Sequence, residues 1–75
     1  MSVISQNLLR IRTGKGMTQQ QVADKSGISR TAYRNIESGM AKLKVNTLIN
    51  ITNALGTKLV EVFSEPHKLT KVKWN

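Results

Sequence analysis

The sequence predicts an all-α domain, a compact bundle of about five short helices with a short C-terminal extension. The chain has 75 residues and no cysteine, so it has room for one domain and carries no disulfide framework. Apolar residues recur at helical spacing along most of the chain, and glycines separate the periodic segments. We expect the domain to span residues 1–65 and a basic extension to span residues 66–75.

The first two helices are predicted from apolar spacing and from capping residues. Residues 3–13 carry apolar side chains at helical spacing, and Gly14 follows them. Thr18 stands three residues before Gln21, which is the pattern of a capping box at the start of a second helix. Gly27 ends that helix at a position where a positive φ is expected.

The third and fourth helices follow the same logic. Ser29 is predicted as the N-cap of a helix over residues 30–38, and Gly39 as its C-cap. The fourth helix, over residues 45–55, has a clear amphipathic pattern. Its predicted inward face consists of Val45, Leu48, Ile49, Thr52 and Leu55, widened by Ile51 and Ala54.

The end of the chain is open to more than one interpretation. The segment KLVEVFSE, residues 58–65, fits both a short helix and a strand, and we favour a helix that Pro66 ends. Beyond it, lysines alternate with Val72 and Trp74, which is typical of a strand or of a disordered segment. The extension is therefore a dimerisation strand, a linker or a frayed tail.

The net charge is the strongest signal in the composition. Twelve Lys and Arg oppose four Asp and Glu, which gives a formal charge of +8. This favours a polyanionic partner, with nucleic acid first and an anionic membrane surface second, and solubility alone as the plain alternative. No apolar run approaches the ~20 residues of a membrane span. The first residues lack the layout of a signal peptide, so we expect a cytoplasmic protein.

Residues 19–38 have the pattern of two short helices around a tight turn. Ala23 is small where the two helices are expected to cross, and Gly27 lies in the turn. Tyr33 and Ile36 are spaced to face the preceding helix. This is the layout of a helix-turn-helix, which places its second helix in the DNA major groove.

The chain resembles the phage repressor and Cro-like helix-turn-helix domains, also called Xre-type, over about residues 4–65. The resemblance rests on four motifs in order: R-x-x-x-G-M-T-Q, A-x-x-x-G-I-S, I-E-x-G and A-L-G. It implies a lambda-repressor-like fold and a sequence-specific double-stranded DNA-binding transcriptional regulator, with repression as the expected outcome. Two departures from the family are Ser26, at a position that is usually apolar, and Lys44, a poor N-cap.

The outer face of the third helix carries the expected base-reading residues, Arg30, Thr31, Arg34 and Asn35. Arginines one turn apart cost an isolated helix roughly 0.2–0.5 kcal/mol, so a negative partner outside the chain would explain them. In the family this face meets base edges, where Arg binds guanine, Asn binds adenine and the Thr methyl contacts thymine. The alternative is a solvated face whose arginines contact only phosphates.

The resemblance also implies contacts to the DNA backbone from residues around this helix. The candidates are Thr18, Gln19, Ser29, Ser38, Lys42 and Lys44. Gln19 opens a helix whose N-terminus suits a phosphate, and in relatives a Gln here also supports the recognition helix. Thr18 and Ser29 are caps first, and the lysines have an ordinary solvated role as their alternative.

Three further roles are implied by the resemblance. An Arg near the end of the first helix bonds the Glu of I-E-x-G, which predicts a structural ion pair between Arg12 and Glu37. Tyr33 is expected in the core with its hydroxyl near the surface. Relatives dimerise on two-fold-related half-sites, and the dimer candidates here are Leu59, Val60, Val62, Phe63 and Trp74. Alternatively, Leu59, Val62 and Phe63 close the core.

An enzyme is not expected, nor is a metal or another cofactor. His67 is the only histidine and there is no cysteine, so no zinc-type ligand set is available. The segment TGKGMT lacks the spacing of a phosphate-binding loop. The alternatives to a self-contained regulator are an antitoxin-like or other protein-interaction module with a second protein partner, and the DNA-binding part of a longer multidomain regulator.

Overall fold

The computed structural model describes residues 2–64, which form five helices joined by short turns. These are α1 (Val3–Gly14), α2 (Gln19–Ser26), α3 (Arg30–Glu37), α4 (Val45–Leu55) and α5 (Leu59–Phe63). No strand occurs among the described residues. The all-α prediction is confirmed, including the helical interpretation of the fifth segment. The predicted extension, with Trp74, lies outside the described residues.

The first three helices begin at side chains that cap exposed backbone N–H groups. Ser2 starts a reciprocal capping box at α1, and Thr18 forms another with Gln21 at α2. The Ser29 hydroxyl oxygen accepts a hydrogen bond of 3.0 Å from the backbone N–H of Ala32. Each such cap is typically worth about 1 kcal/mol, and the predicted starts of α2 and α3 are confirmed.

Two glycines allow the turns on either side of α3. Gly27 ends α2 with a φ of 75°, a left-handed conformation that residues with a Cβ adopt only at a cost. Gly39 has a φ of 77° but is not the C-cap that the sequence predicts. Ser38 takes that position in the right-handed helical region, and Gly39 follows it. Lys44 precedes α4 without a side-chain cap, as expected.

The core lies where α2 packs on α3 and α4, and where α1 packs on α3 and α5. Its buried apolar side chains are Leu8, Val22, Ala23, Tyr33, Ile36, Leu48, Ile51, Leu55 and Val62. Ala23 is fully buried, in agreement with the need for a small side chain in the helix pair. The core thus fixes the inner side of α3 and leaves its other side to solvent.

The inward face of α4 differs from the predicted one. The sequence pattern places Val45 and Ile49 inward, but their side chains are 67% and 39% exposed. The predicted inward residues Leu48, Ile51, Thr52 and Leu55 are buried, as expected. The buried face is therefore narrower than the predicted one and excludes the side of the helix that carries Val45 and Ile49.

Two further predictions are wrong in detail. The Tyr33 hydroxyl is buried with the rest of the side chain and does not reach the surface. Val62 is fully buried and closes the core, so it cannot belong to a dimer surface. The other dimer candidates on α5 are Leu59, Val60 and Phe63, and all three are exposed.

Candidate DNA interface

The outer side of α3 presents the four predicted base-reading residues to solvent. Arg30, Thr31 and Arg34 are exposed, and Asn35 is half-buried. Neither arginine forms an ion pair with an acidic side chain in the described part of the chain. Because the buried Tyr33 and its neighbours hold the inner side of this eight-residue helix, these polar groups are presented on a fixed surface.

A shallow groove of about 470 Å³ lies between the start of α2 and the start of α3. Thr18, Gln19 and Arg30, three of the predicted DNA contacts, line it together. A helix N-terminus carries positive partial charge and unpaired N–H groups that suit a phosphate. The Thr18 hydroxyl oxygen accepts a hydrogen bond of 3.0 Å from the backbone N–H of Gln21, and this contact does not use the hydroxyl hydrogen.

A second groove, of about 360 Å³, lies on the other side of α3, next to the loop that precedes α4. Its walls include Asn35, Lys42 and Lys44, and no acidic side chain lines it. Ser38 lines neither groove, and its hydroxyl donates a hydrogen bond of 2.9 Å to the carbonyl of Arg34. The two lysines therefore lie in the same groove as Asn35.

The Glu37 carboxylate joins α3 to both α1 and α2. Arg12 Nε lies 2.5 Å from Glu37 Oε2, and Arg12 Nη2 donates to Glu37 Oε1 at 3.2 Å. Gln19 Nε2 donates to the same Oε1 at 3.0 Å. The structure therefore contains the ion pair that the resemblance implies. The same carboxylate ties the Gln19 side chain to the end of α3.

The protonation states of this cluster follow from its surroundings. Burial raises the pKa of Glu37, but the hydrogen bonds from Arg12 and Gln19 outweigh it and hold the pKa below its ordinary value. The hydrogen bond to Glu37 raises the pKa of Arg12. Burial and the neighbouring Glu37 carboxylate raise the pKa of Tyr33 far above its ordinary value. At neutral pH the cluster is thus an ion pair beside a neutral phenol.

Two features of this molecule were not predicted from the sequence. Met40 follows α3 and is 80% exposed. Asn7 is fully buried on α1 and bonds the end of α5. Its one sequence signal is a polar residue beside Leu8 in an apolar stripe, and that signal does not reveal its partner.

Other kinds of site find no support in residues 2–64. No cluster of three or more His, Cys, Asp or Glu side chains that could hold a metal ion occurs there. No helix within this range is long and apolar enough to span a membrane.

Comparison with known proteins places these residues in a family. The helix-turn-helix family model matches residues 8–62. YqaE of Bacillus subtilis (strain 168), an uncharacterized HTH-type transcriptional regulator, is 46% identical over 57 residues, which cover 76% of this chain and 49% of YqaE. The HTH-type regulator y4dJ of Sinorhizobium fredii (strain NBRC 101917 / NGR234) is 35% identical, with 80% of this chain and 78% of y4dJ covered. The chain spans about half the length of YqaE.

The fold recurs in a solved structure. The restriction-modification controller protein C.AhdI from Aeromonas hydrophila superimposes with a TM-score of 0.79 at 28% identity, covering 81% of this chain and 92% of C.AhdI. The matched domain is characteristic of transcriptional regulators and not of enzymes. Because the family model matches most of its length, the chain belongs to the helix-turn-helix DNA-binding family of the Xre and Cro/C1 type.

Proposed function

We propose that this chain is a sequence-specific double-stranded DNA-binding transcriptional regulator that reads the major groove with residues 29–38. The observation that carries the proposal is the pair of grooves on the two sides of an exposed recognition helix. Six of the ten candidate DNA contacts line these grooves: Thr18, Gln19, Arg30, Asn35, Lys42 and Lys44. A face built for solubility alone has no need for such an arrangement.

The two kinds of contact divide between the helix and its surroundings. Arg30, Thr31, Arg34 and Asn35 read base edges, and a good bidentate contact is worth roughly 1–3 kcal/mol of discrimination. This exceeds the repulsion between two arginines one turn apart, about 0.2–0.5 kcal/mol. The backbone contacts, which set register and orientation, come from Thr18, Gln19, Ser29, Ser38, Lys42 and Lys44.

The regulator acts as a homodimer on an inverted-repeat operator in the cytoplasm, with repression as the outcome. Half-sites for such a dimer lie about 34 Å apart, one turn of DNA. Support for self-association comes from α5, where Leu59, Val60 and Phe63 are exposed on a single short helix. Clustered exposed apolar side chains mark interaction surfaces.

Selection of binding sites from a randomised duplex pool, repeated at two salt concentrations, tests this function. We expect an enriched inverted repeat and binding that weakens steeply as salt rises. The matched control carries Arg30→Lys and Arg34→Lys, which keep the net charge but lose the bidentate geometry of arginine. It should bind with similar salt dependence and lose the motif.

Salt-sensitive binding with no enriched motif from the wild-type chain would overturn sequence-specific reading. A protein that co-purifies in constant ratio, combined with that result, would favour the antitoxin-like interaction module instead.

A further inference from the structure

Asn7 is a fully buried amide on α1 that holds the end of α5. Its Nδ2 donates one hydrogen bond to the Val62 carbonyl at 2.9 Å and another to the Ser64 carbonyl at 2.6 Å. Its Oδ1 accepts from Arg10 Nη2 at 3.3 Å. Both amide hydrogens are therefore used, and the orientation of the amide is fixed.

α5 depends on such contacts because it cannot stand alone. It has five residues, far fewer than the roughly 12–15 that an isolated helix needs for marginal stability. Val62 is its one buried side chain. The last carbonyls of a helix lack partners within the helix, and Asn7 supplies donors to two carbonyls at this end. Two contacts thus anchor α5: the Val62 side chain packs in the core, and the Asn7 side chain binds the backbone carbonyls of Val62 and Ser64.

These two anchors determine the direction in which the rest of α5 faces. Leu59, Val60 and Phe63 lie on the same short helix and are exposed, with Val60 63% and Phe63 53% accessible. An apolar residue in place of Asn7 would fill the core, but it would leave the buried Val62 carbonyl and the partly buried Ser64 carbonyl without their donor. The amide of Asn7 therefore does more than fill space in the core, because it also holds α5 in position.

We propose that Asn7 is a positioning residue for self-association, which holds the apolar face of α5 (Leu59, Val60 and Phe63) at the angle that a second copy of this chain requires. The inference rests on the homodimer proposed above. Through this contact, α1 also influences the relative placement of the two recognition helices on DNA. Asn7 itself contacts neither the partner copy nor the DNA.

The variant Asn7→Asp tests this with little change in shape. An ionised carboxylate cannot donate, and it would face the two carbonyl oxygens of Val62 and Ser64. The control is Asn50→Asp, which makes the same change of charge at an exposed position of α4. Three quantities are measured: the dimer dissociation constant by sedimentation equilibrium, the affinity for a duplex with one half-site, and amide hydrogen exchange along the chain.

We expect Asn7→Asp to raise the dimer dissociation constant about tenfold or more relative to Asn50→Asp. Affinity for the single half-site should stay within about twofold of the control, since the hydrogen bonds of Asn7 go to Val62, Ser64 and Arg10 and not to α3. Amide protection should be lost in α5 and kept in α2, α3 and α4. Equal dimer constants for the two variants, or a uniform loss of protection in every helix, would overturn the proposal.

A double-mutant cycle with Phe63→Ala separates positioning from a general structural role. If Asn7 acts through the α5 face, Phe63→Ala should weaken the Asn7→Asp dimer much less than it weakens the wild-type dimer. Additive effects would overturn the proposal. Should Asn7→Asp fail to fold, Asn7→Ser, which keeps one donor, is judged by the same criteria. A wild-type monomer would overturn the homodimer and this inference together, whereas a dimer that needs Phe63 but not Asn7 would overturn this inference alone.

Discussion

The Glu37 carboxylate receives two bonds from the Arg12 guanidinium, at 2.5 and 3.2 Å, across 25 residues of sequence. The side chains are 5% and 13% exposed respectively, so solvent screens the pair little. Gln19 adds a third bond to the same carboxylate. The last residue of the recognition helix is thereby tied to α1 and α2 at once, and the outer face of α3 keeps its orientation.

Replacing Glu37 should destabilise the domain strongly. Glu37→Gln leaves the Arg12 charge partly buried without its partner, and breaking such pairs costs about 3–5 kcal/mol when burial is complete. Because Arg12 keeps some contact with solvent, we expect about 3 kcal/mol less free energy of unfolding in urea. The control Asp24→Asn removes an exposed carboxylate on α2 and should change little. A melting temperature equal to that of the wild type would show that the pair does not stabilise the fold.

The same pair predicts a loss of stability in acid. The folded state lowers the pKa of Glu37 below its ordinary value of 4.5, so the unfolded chain binds a proton first as the pH falls. The stabilisation is complete above the unfolded pKa and is lost as the pH falls through the folded one. We therefore expect the difference in unfolding free energy between wild type and Glu37→Gln to shrink below pH 4.5.

Urea titrations at a series of pH values from neutral to acid measure this difference. Glu61→Gln is the matched control, because the pKa of Glu61 is also lowered, by hydrogen bonds from Thr57 and Lys58, but its side chain is fully exposed. Its difference from wild type should stay small throughout. A difference between wild type and Glu37→Gln that persists unchanged in acid would contradict the assigned role of the carboxylate.

The helices follow from the sequence because their signals are local. Thr18 and Ser29 cap within three residues of themselves, and Gly27 requires only its own φ. Such signals need no knowledge of distant partners. The positions of α2 and α3, and hence the exposed side of α3, are predictable for the same reason.

The features that could not be predicted from the sequence depend on contacts between helices. Val45 and Leu48 are both apolar, and the packing of the neighbouring helices on α4 decides which of them is buried. Asn7 finds its partners 55 and 57 residues away, and no periodicity encodes that pairing. The Arg12–Glu37 pair is equally remote, and resemblance to a family, not spacing, predicts it. In the candidate site, each groove is lined by residues from different helices or loops. Which of them share a groove depends on the turns between the helices, and the sequence alone does not predict it.

Removing a base-reading side chain and removing a side chain that contacts the DNA backbone should have different effects on DNA binding. Asn35→Ala should relax the base preference at one operator position by roughly 1–3 kcal/mol, because the amide edge that distinguishes adenine is lost. Lys42→Ala should weaken binding to all sequences alike and reduce the slope of log affinity against log salt by about 1. Affinities for a panel of single-base operator variants at two salt concentrations separate these outcomes. An unchanged preferred sequence for Asn35→Ala would remove Asn35 from the base-reading set.

Ser26 and Ser29 lie on either side of the turn between α2 and α3. Replacing each with alanine should change the free energy of unfolding in opposite directions. The Ser26 hydroxyl oxygen is buried and has no hydrogen-bond partner among the described residues, so Ser26→Ala removes an uncompensated polar group. We expect the free energy of unfolding in urea to rise by about 1 kcal/mol. Ser29→Ala is the matched change, since that hydroxyl caps α3 through Ala32, and its loss should cost about 1 kcal/mol.

The sign of the difference between these two variants is the decisive result. Both changes delete one hydroxyl and nothing else, so they share any effect on the unfolded chain apart from local propensity. A loss of stability in Ser26→Ala as large as in Ser29→Ala would show that the Ser26 hydroxyl has a partner, such as a bound water, and that a serine at this usually apolar position of the family is accommodated without cost.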